Sequence, residues 1–302
     1  MKNISLPTYG EIAKKLLQFE KDYGTLNGIN SPARRNVFIK QIIDSTRNIE
    51  YCKLLTLKKF NKNISDPSKN GFNPIKASIY HFQNNNFDEA LWLIFLTIYF
   101  GKAKPGRWNL IRAFYGGLNL KYIWDWKTLT NNQKKFHRWI ANEKNNLKSY
   151  GKFGNHRKYE SLNHTSRSID SYLNWVGANL SHKTKFDNIK NNIGNNPNDL
   201  FDYLFNDLSI VYRFGRMTKF DFLCMIGKLN FLRIEPRHPY LTNSTGPLSG
   251  SKLLFGKLPT RQLTDQLVTL GSYLNLPFVM QILEDAICNW QKSPSNYTRF
   301  TG

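Results

Sequence analysis

The chain has 302 residues, with 43 Lys and Arg against 21 Asp and Glu, a formal net charge of +22 at pH 7. Hydrophobic residues at 40% and aromatics at 14% exclude a disordered chain, and the length supports one large core or two smaller ones. The basic excess points to a polyanionic partner, of which nucleic acid is the commonest soluble one.

Along the chain most segments predict helix. From Glu11 to Tyr23, three- and four-residue spacing puts Ile12, Leu16, Phe19 and Tyr23 on one stripe. Ser31-Pro32 reads as a cap followed by proline at the first helical position. Arg34 and Arg35 in that first turn oppose the helix dipole, a conflict a bound phosphate would relieve; an ordinary solvated arginine pair is the alternative. Residues 61–74 read as a connection, and Asp88-Glu89 opens a helix, apolar nearly all round, that suits the centre of a bundle. A further helix is expected from Trp108 to Tyr115, with Trp124, Trp126 and Trp139 read as packing residues and base-stacking platforms as the alternative.

Residues 183–198, rich in Asn, read as a linker between an N-terminal helical region (1–182) and a C-terminal one (199–302), unless the chain is one continuous domain. Asp199 is the expected cap of a helix reaching Tyr212. A second apolar stretch follows from Phe220 to Leu232, then a loop from Glu235 to Ser251 and a last helix from Val279 to Trp290. Leu232-Arg233-Ile234 is the one short strand candidate, so the class is all-α or nearly so.

Cys52, Cys224 and Cys288 form no CxxC pair, and the six histidines show no HxxxH or HxE spacing. No metal site, disulfide or cofactor is therefore expected. The longest apolar run, Ala90 to Phe100, is too short to cross a bilayer, and Tyr9-Gly10-Glu11 and Lys14-Lys15 interrupt any signal-peptide core early; a cytoplasmic, membrane-free monomer is the expectation.

Four polar clusters carry the candidate chemistry. Gly151–Glu160 combines glycines, His156, Arg157, Lys158 and one acid; Arg213–Asp221 repeats that mixture with Arg216 and Lys219. Thr245–Lys252 offers glycines, serines and a lysine, a phosphate cradle or simply a turn between helices. Glu284–Lys292 places two acids on a helix. Breaking an N-glycosidic bond calls for a carboxylate that stabilises an oxocarbenium-like sugar and orients water, so Asp221, Glu160 and Asp285 are the catalytic candidates. Arg34, Arg35, Lys102, His156, Arg157, Lys158, Arg213, Arg216, Lys219, Ser249, Gly250 and Lys252 are the candidates for contact with DNA.

The strings Phe100-Gly101-Lys102, Trp124-Asp125-Trp126, Phe153 to Leu162, Thr245 to Gly250 and Glu284 to Gln291 resemble the α-glutamyl/putrescinyl thymine pyrophosphorylase family, clade 3. The resemblance implies a helical fold related to helix–hairpin–helix DNA glycosylases, with Leu248-Ser249-Gly250 as the nearest analogue of their hairpin. It also implies action on double-stranded DNA carrying hypermodified pyrimidines. The first expectation is a glycosylase that flips and excises such a base, for instance glucosylated hydroxymethylcytosine in phage DNA, leaving an abasic site in anti-phage defence. The second is a transferase joining an amino acid or polyamine to a pyrophosphorylated 5-hydroxymethyl pyrimidine. The third is a DNA-binding module without catalysis.

Overall fold

Thr8 starts the first helix with a capping box. Its hydroxyl accepts from the Glu11 N–H at 3.2 Å, and the Glu11 carboxylate accepts from the Thr8 N–H at 2.7 Å. The helix this opens, α1 (Tyr9–Tyr23), buries Ile12, Leu16 and Phe19, while Tyr23, on the same stripe by spacing, is 57% exposed and stacks on Phe19. Ser31 caps α2 (Pro32–Thr56) as expected, its hydroxyl accepting from the Arg34 N–H at 3.3 Å. The computed structural model describes residues 6–120 and 122–299.

Twelve further helices follow among the described residues: α3 (Pro74–Gln83), α4 (Phe87–Phe100), α5 (Asn109–Tyr115), α6 (Trp126–Asn131), α7 (Gln133–Lys148), α8 (Thr165–Val176), α9 (His182–Ile193), α10 (Pro197–Asp207), α11 (Arg216–Lys228), α12 (Gly246–Phe255), α13 (Thr260–Leu274) and α14 (Val279–Trp290). Among those residues the only bridge is isolated, between Ala103 and Arg107, and Leu232 to Ile234 is not a strand. The chain is all-α.

It folds as two units. One takes the described residues through Leu54 and those from Ile234 on, hence α1, most of α2 and α12 to α14; the other runs from Leu55 to Arg233 and holds α3 to α11. The Asn-rich segment 183–198, expected as a linker, is mostly α9. Ser181 caps it, Gly194 ends it at φ +86°, and Phe186 and Ile189 are buried on its inner face. The asparagines that suggested a linker lie in its last turn and beyond. Asn196, rather than Asp199, caps α10, accepting from the N–H groups of Asn198 and Asp199 at 2.9 and 3.2 Å.

The first unit has an apolar core of Ile12, Leu16, Phe38, Ile42, Leu267, Leu270, Leu283 and Trp290 among others. In the second, α4 is buried nearly all round, as its composition predicts. Its Phe95 stacks on Tyr172 of α8 at 3.9 Å and on Phe214 at 5.5 Å, and Trp92 donates its indole N–H to Trp124 O at 2.8 Å. Trp124 and Trp126 are buried, and Trp139 packs on Phe114 and Trp124, so all three serve packing.

The acids that open α4 are tied inward. Asp88 accepts from the His182 N–H at 2.6 Å and pairs with His182 Nδ1 at 2.8 Å, and His182 Nε2 meets the Tyr172 hydroxyl at 2.7 Å. Glu89, 3% exposed, accepts from the Tyr115 hydroxyl at 2.7 Å and the Trp126 N–H at 2.6 Å. Burial pushes its carboxyl up to about 8, against the pull of those two donors. Among the described residues no helix is long and apolar enough to cross a membrane.

Candidate functional site

The first two polar clusters meet in the second unit. Phe153 packs on Tyr99 and Phe100, and the Gly154 N–H donates to Phe100 O at 2.7 Å, anchoring the run to the end of α4. A Cβ on Gly154 would lie 2.7 Å from Lys102 N, so glycine is what lets the two backbones come this close. A single 3-10 turn (Asn155–Arg157) then directs His156 to the surface and Arg157 inward.

Arg157 is 7% exposed and ties three segments together. Nε donates to Tyr99 O at 3.1 Å; Nη1 donates to Arg213 O at 3.1 Å and to the Thr218 hydroxyl at 2.7 Å. Its Nη2 faces Glu160 at 3.5 Å. Burial lowers its pKa and the Glu160 carboxylate opposes that shift. Glu160 accepts from Arg213 Nε at 2.5 Å, so one carboxylate joins a buried guanidinium to an outer one. Asp221, one turn into α11, lies 3.6 Å from His156 Nδ1 and keeps 35% of its side chain exposed.

The remaining cations of these clusters each sit beside an aromatic or polar neighbour or at the surface. Lys158 sits 4.9 Å from the ring of Tyr159, which is 81% exposed. The Arg216 guanidinium lies 4.9 Å from the Phe220 ring, and Lys219 donates to the Ser209 hydroxyl at 2.9 Å beside Phe205. Burial lowers the Lys219 pKa. Lys102, exposed, follows the end of α4.

A pocket of about 480 Å³ adjoins this cluster, lined by Arg167, Ser171, Ser209, Tyr212, Arg213 and Gly215 among others. Arg167 lies 4.1 Å over the Tyr212 ring, and Ser171 accepts from the Tyr212 N–H at 2.8 Å. Sequence reasoning missed Arg167, Ser171, Ser209 and Tyr212. The four-residue step from Arg167 to Ser171 on α8 was one signal that could have found two of them. Tyr212 was hidden by being read into a helix that in fact ends at Asp207.

The third and fourth clusters belong to the first unit, where Gly246, Gly250 and Asp285 take part in contacts between helices. Thr245–Lys252 is not a loop: α12 starts at Gly246, and Leu248-Ser249-Gly250 lies inside the helix rather than in a hairpin. A Cβ on Gly250 would lie 2.4 Å from Ile287 O, and one on Gly246 would lie 2.6 Å from Cys288 Sγ. These glycines therefore let α12 pack closely on α14. Ser249 and Lys252 lie on the outer side. Asp285 accepts from the Ser45 hydroxyl at 2.5 Å and from the Asn289 amide at 2.9 Å, which ties α14 to α2. It is in a different unit from Glu160 and Asp221.

The arginine conflict at the start of α2 is resolved within the protein. Both Arg35 Nη atoms donate to the Glu20 carboxylate of α1 at 2.8 Å; Arg34 is half-buried beside it. Among the described residues no three His, Cys, Asp or Glu side chains gather as a metal site.

No curated protein and no solved structure matches the chain. The family model described as alpha-glutamyl/putrescinyl thymine pyrophosphorylase clade 3 matches residues 33–302. That match spans both units and every cluster described above, and the chain belongs to this family.

Proposed function

We propose that the protein is a glycosylase acting on hypermodified pyrimidines in DNA, in defence against phages that carry them. Membership in a family named for thymine hypermodification supports a modified-base substrate. The observation that carries the chemistry is the meeting of His156–Glu160 with Arg213–Asp221: a half-exposed carboxylate beside a histidine, at the edge of a basic surface.

In this reading Asp221 is the catalytic carboxylate, ionised at the start and acting as general base. As the bond from C1′ to the base breaks, its electrons leave with the base, and Asp221 faces the cationic sugar. A water held between Asp221 and His156 adds to C1′ and passes its proton to the carboxylate. Glu160 carries two guanidiniums and acts as a positioning group for Arg213. Lys158, Arg216 and Lys219 face the phosphates, and exposed Tyr159 supplies an aromatic wedge at the duplex. Asp285, bonded to Ser45 and Asn289, is left out of the chemistry.

The test is incubation of the purified protein with DNA bearing glucosylated hydroxymethylcytosine, followed by an abasic-site assay. Abasic sites are expected on that DNA, absent from unmodified DNA, and reduced at least a hundredfold in Asp221→Asn. Equal yields on both DNAs, or none on either, overturn the reading.

One observation favours a second reading, transfer of an amino acid or polyamine to a pyrophosphorylated base. Arg213, Arg216 and Lys219 gather at the first turns of α11, a setting suited to a departing diphosphate. Nucleoside mass spectrometry separates the two: an added mass supports transfer, a missing base excision.

A further inference from the structure

The pocket beside the cluster has chemistry the excision reaction does not use. Arg167 stands 4.1 Å over the ring of Tyr212, and among the described residues no carboxylate comes within ion-pair distance of it. The buried Arg157 spends Nε and Nη1 on protein oxygens and Arg35 is paired with Glu20; Arg167 instead presents its guanidinium over an aromatic ring, next to an open cavity. That pair is held in place. The Tyr212 N–H donates to Ser171 Oγ, which in turn donates to Ser168 O, both on the same helix as Arg167.

The next residue, Arg213, adopts φ +60°, a conformation arginine rarely takes. The surroundings fix it there: Arg157 holds its carbonyl and Glu160 holds its Nε. The result is a cavity of about 480 Å³ with an arginine–tyrosine stack and the Arg213 side chain on its walls and hydroxyls from Ser171 and Ser209 between them. Nucleobases stack on guanidinium and aromatic faces whatever their sequence. Ser171 has given its proton to Ser168 O and can only accept from a base edge, while Ser209, which accepts from Lys219, can donate to one. An anion alone needs the guanidinium edge and makes no use of the stack.

We propose that this pocket receives one unpaired nucleotide of the DNA, its base stacked on Arg167 over Tyr212 and its phosphate facing Arg213. The proposal rests on the reading that the protein acts on DNA, and it names the side chains that hold the extrahelical base. Arg167 and Tyr212 are binding residues in this assignment; Asp221 remains the group that meets the sugar.

The experiment compares the binding of two labelled single strands by fluorescence anisotropy at one salt concentration. One strand is oligothymidine; the other is a chain of equal length with abasic spacers and the same phosphates. The protein is expected to bind the thymidine strand about tenfold more tightly. Arg167→Leu and Tyr212→Ala should reduce that ratio to near one while the affinity for the spacer strand falls less, and Tyr212→Phe should keep the ratio. Arg167 and Arg213 are exposed, so Arg167→Leu is expected to fold, which its melting curve confirms. A ratio near one for the wild-type protein overturns the proposal, as does a ratio that persists in both Arg167→Leu and Tyr212→Ala. Loss of affinity for both strands by the same factor in Arg167→Leu marks a phosphate-only pocket and also overturns it. Unmodified strands are used throughout, so base-dependent binding stands or falls separately from base excision.

Discussion

The two units bury polar groups of different kinds. Among the described residues, the buried polar side chains of the first are Gln41, Ser45, Thr46 and Ser251, all uncharged; in the second they include Glu89, Arg157 and His182. The difference shows in how similar sequence signatures resolve. Glycines mixed with cations and acids in 151–160 and 213–221 become a hydrogen-bonded charge network, whereas the glycines and lysine of 245–252 and the acids and lysine of 284–292 lie on two helices joined by a close seam. A glycine beside charge thus reports close backbone approach in both places. What approaches decides whether the result is a site.

The comparison breaks hardest at Arg157. Arg157→Leu removes donors to Tyr99 O, Arg213 O and Thr218, and leaves Glu160 with one guanidinium fewer. The expected loss is about 3–5 kcal/mol of unfolding free energy, measured by urea titration, because two carbonyls and a hydroxyl lose their donor and Glu160 loses one of its two guanidiniums. A phosphate-contacting arginine would behave oppositely, with stability intact and weaker DNA binding.

Glu89 tests the same buried charge by pH. Its folded pKa of about 8 lies above the ordinary value of 4.5, so between those values the folded state holds a proton that the unfolded state has released. Stability therefore falls as pH rises from about 4.5 to 8, by on the order of 5 kcal/mol in total. Glu89→Gln should abolish that fall. His182 works with the opposite sign: burial depresses its pKa, so its contribution is present above the ordinary 6.5 and is lost as pH falls below it. Unfolding curves of Glu89→Gln from pH 5 to 9 should rise toward pH 6.5 and then stay level; a fall above pH 7 equal to that of the wild type contradicts the assignment.

How far the sequence could be read follows from these same residues. The class, the Ser31 cap, the central position of α4 and the last helix were legible because apolar spacing and capping chemistry are local. The helix α9 was not, because its asparagines outweighed two buried apolar residues and a serine cap. Of the site, the motif 156–160 was visible, but the inward turn of Arg157 was not. Charge alone cannot tell an arginine satisfied by three oxygen acceptors from one facing a phosphate. The pairing of 213–221 with 156–160, rather than with 245–252, depends on contacts between distant segments that no local pattern encodes.

On the other side of the comparison, Gly250→Ala should cost about 1–3 kcal/mol through overpacking, since its Cβ would meet Ile287 O at 2.4 Å. Differential scanning calorimetry should show the loss with no change in DNA binding. An alanine tolerated within 0.5 kcal/mol would mean that α12 and α14 separate easily and that the seam is not what requires glycine.

The smallest expected effect separates a seam from a phosphate grip. Lys252 lies exposed in the last turn of α12, where its charge favours the helix dipole. Lys252→Ala should change stability by no more than about 0.5 kcal/mol. Its bearing is on DNA: a lysine that neutralises a phosphate contributes about one unit to the slope of log affinity against log salt, and its removal lowers that slope accordingly. If 245–252 serves packing, the slope for Lys252→Ala matches that of the wild type, while Arg216→Ala, on the basic surface of the other unit, lowers it by about one. A reduced slope in Lys252→Ala would restore this segment to the DNA-contacting surface. The glycines would then set the seam while the lysine served the DNA, so one short helix would combine both of the roles that the two units otherwise keep apart.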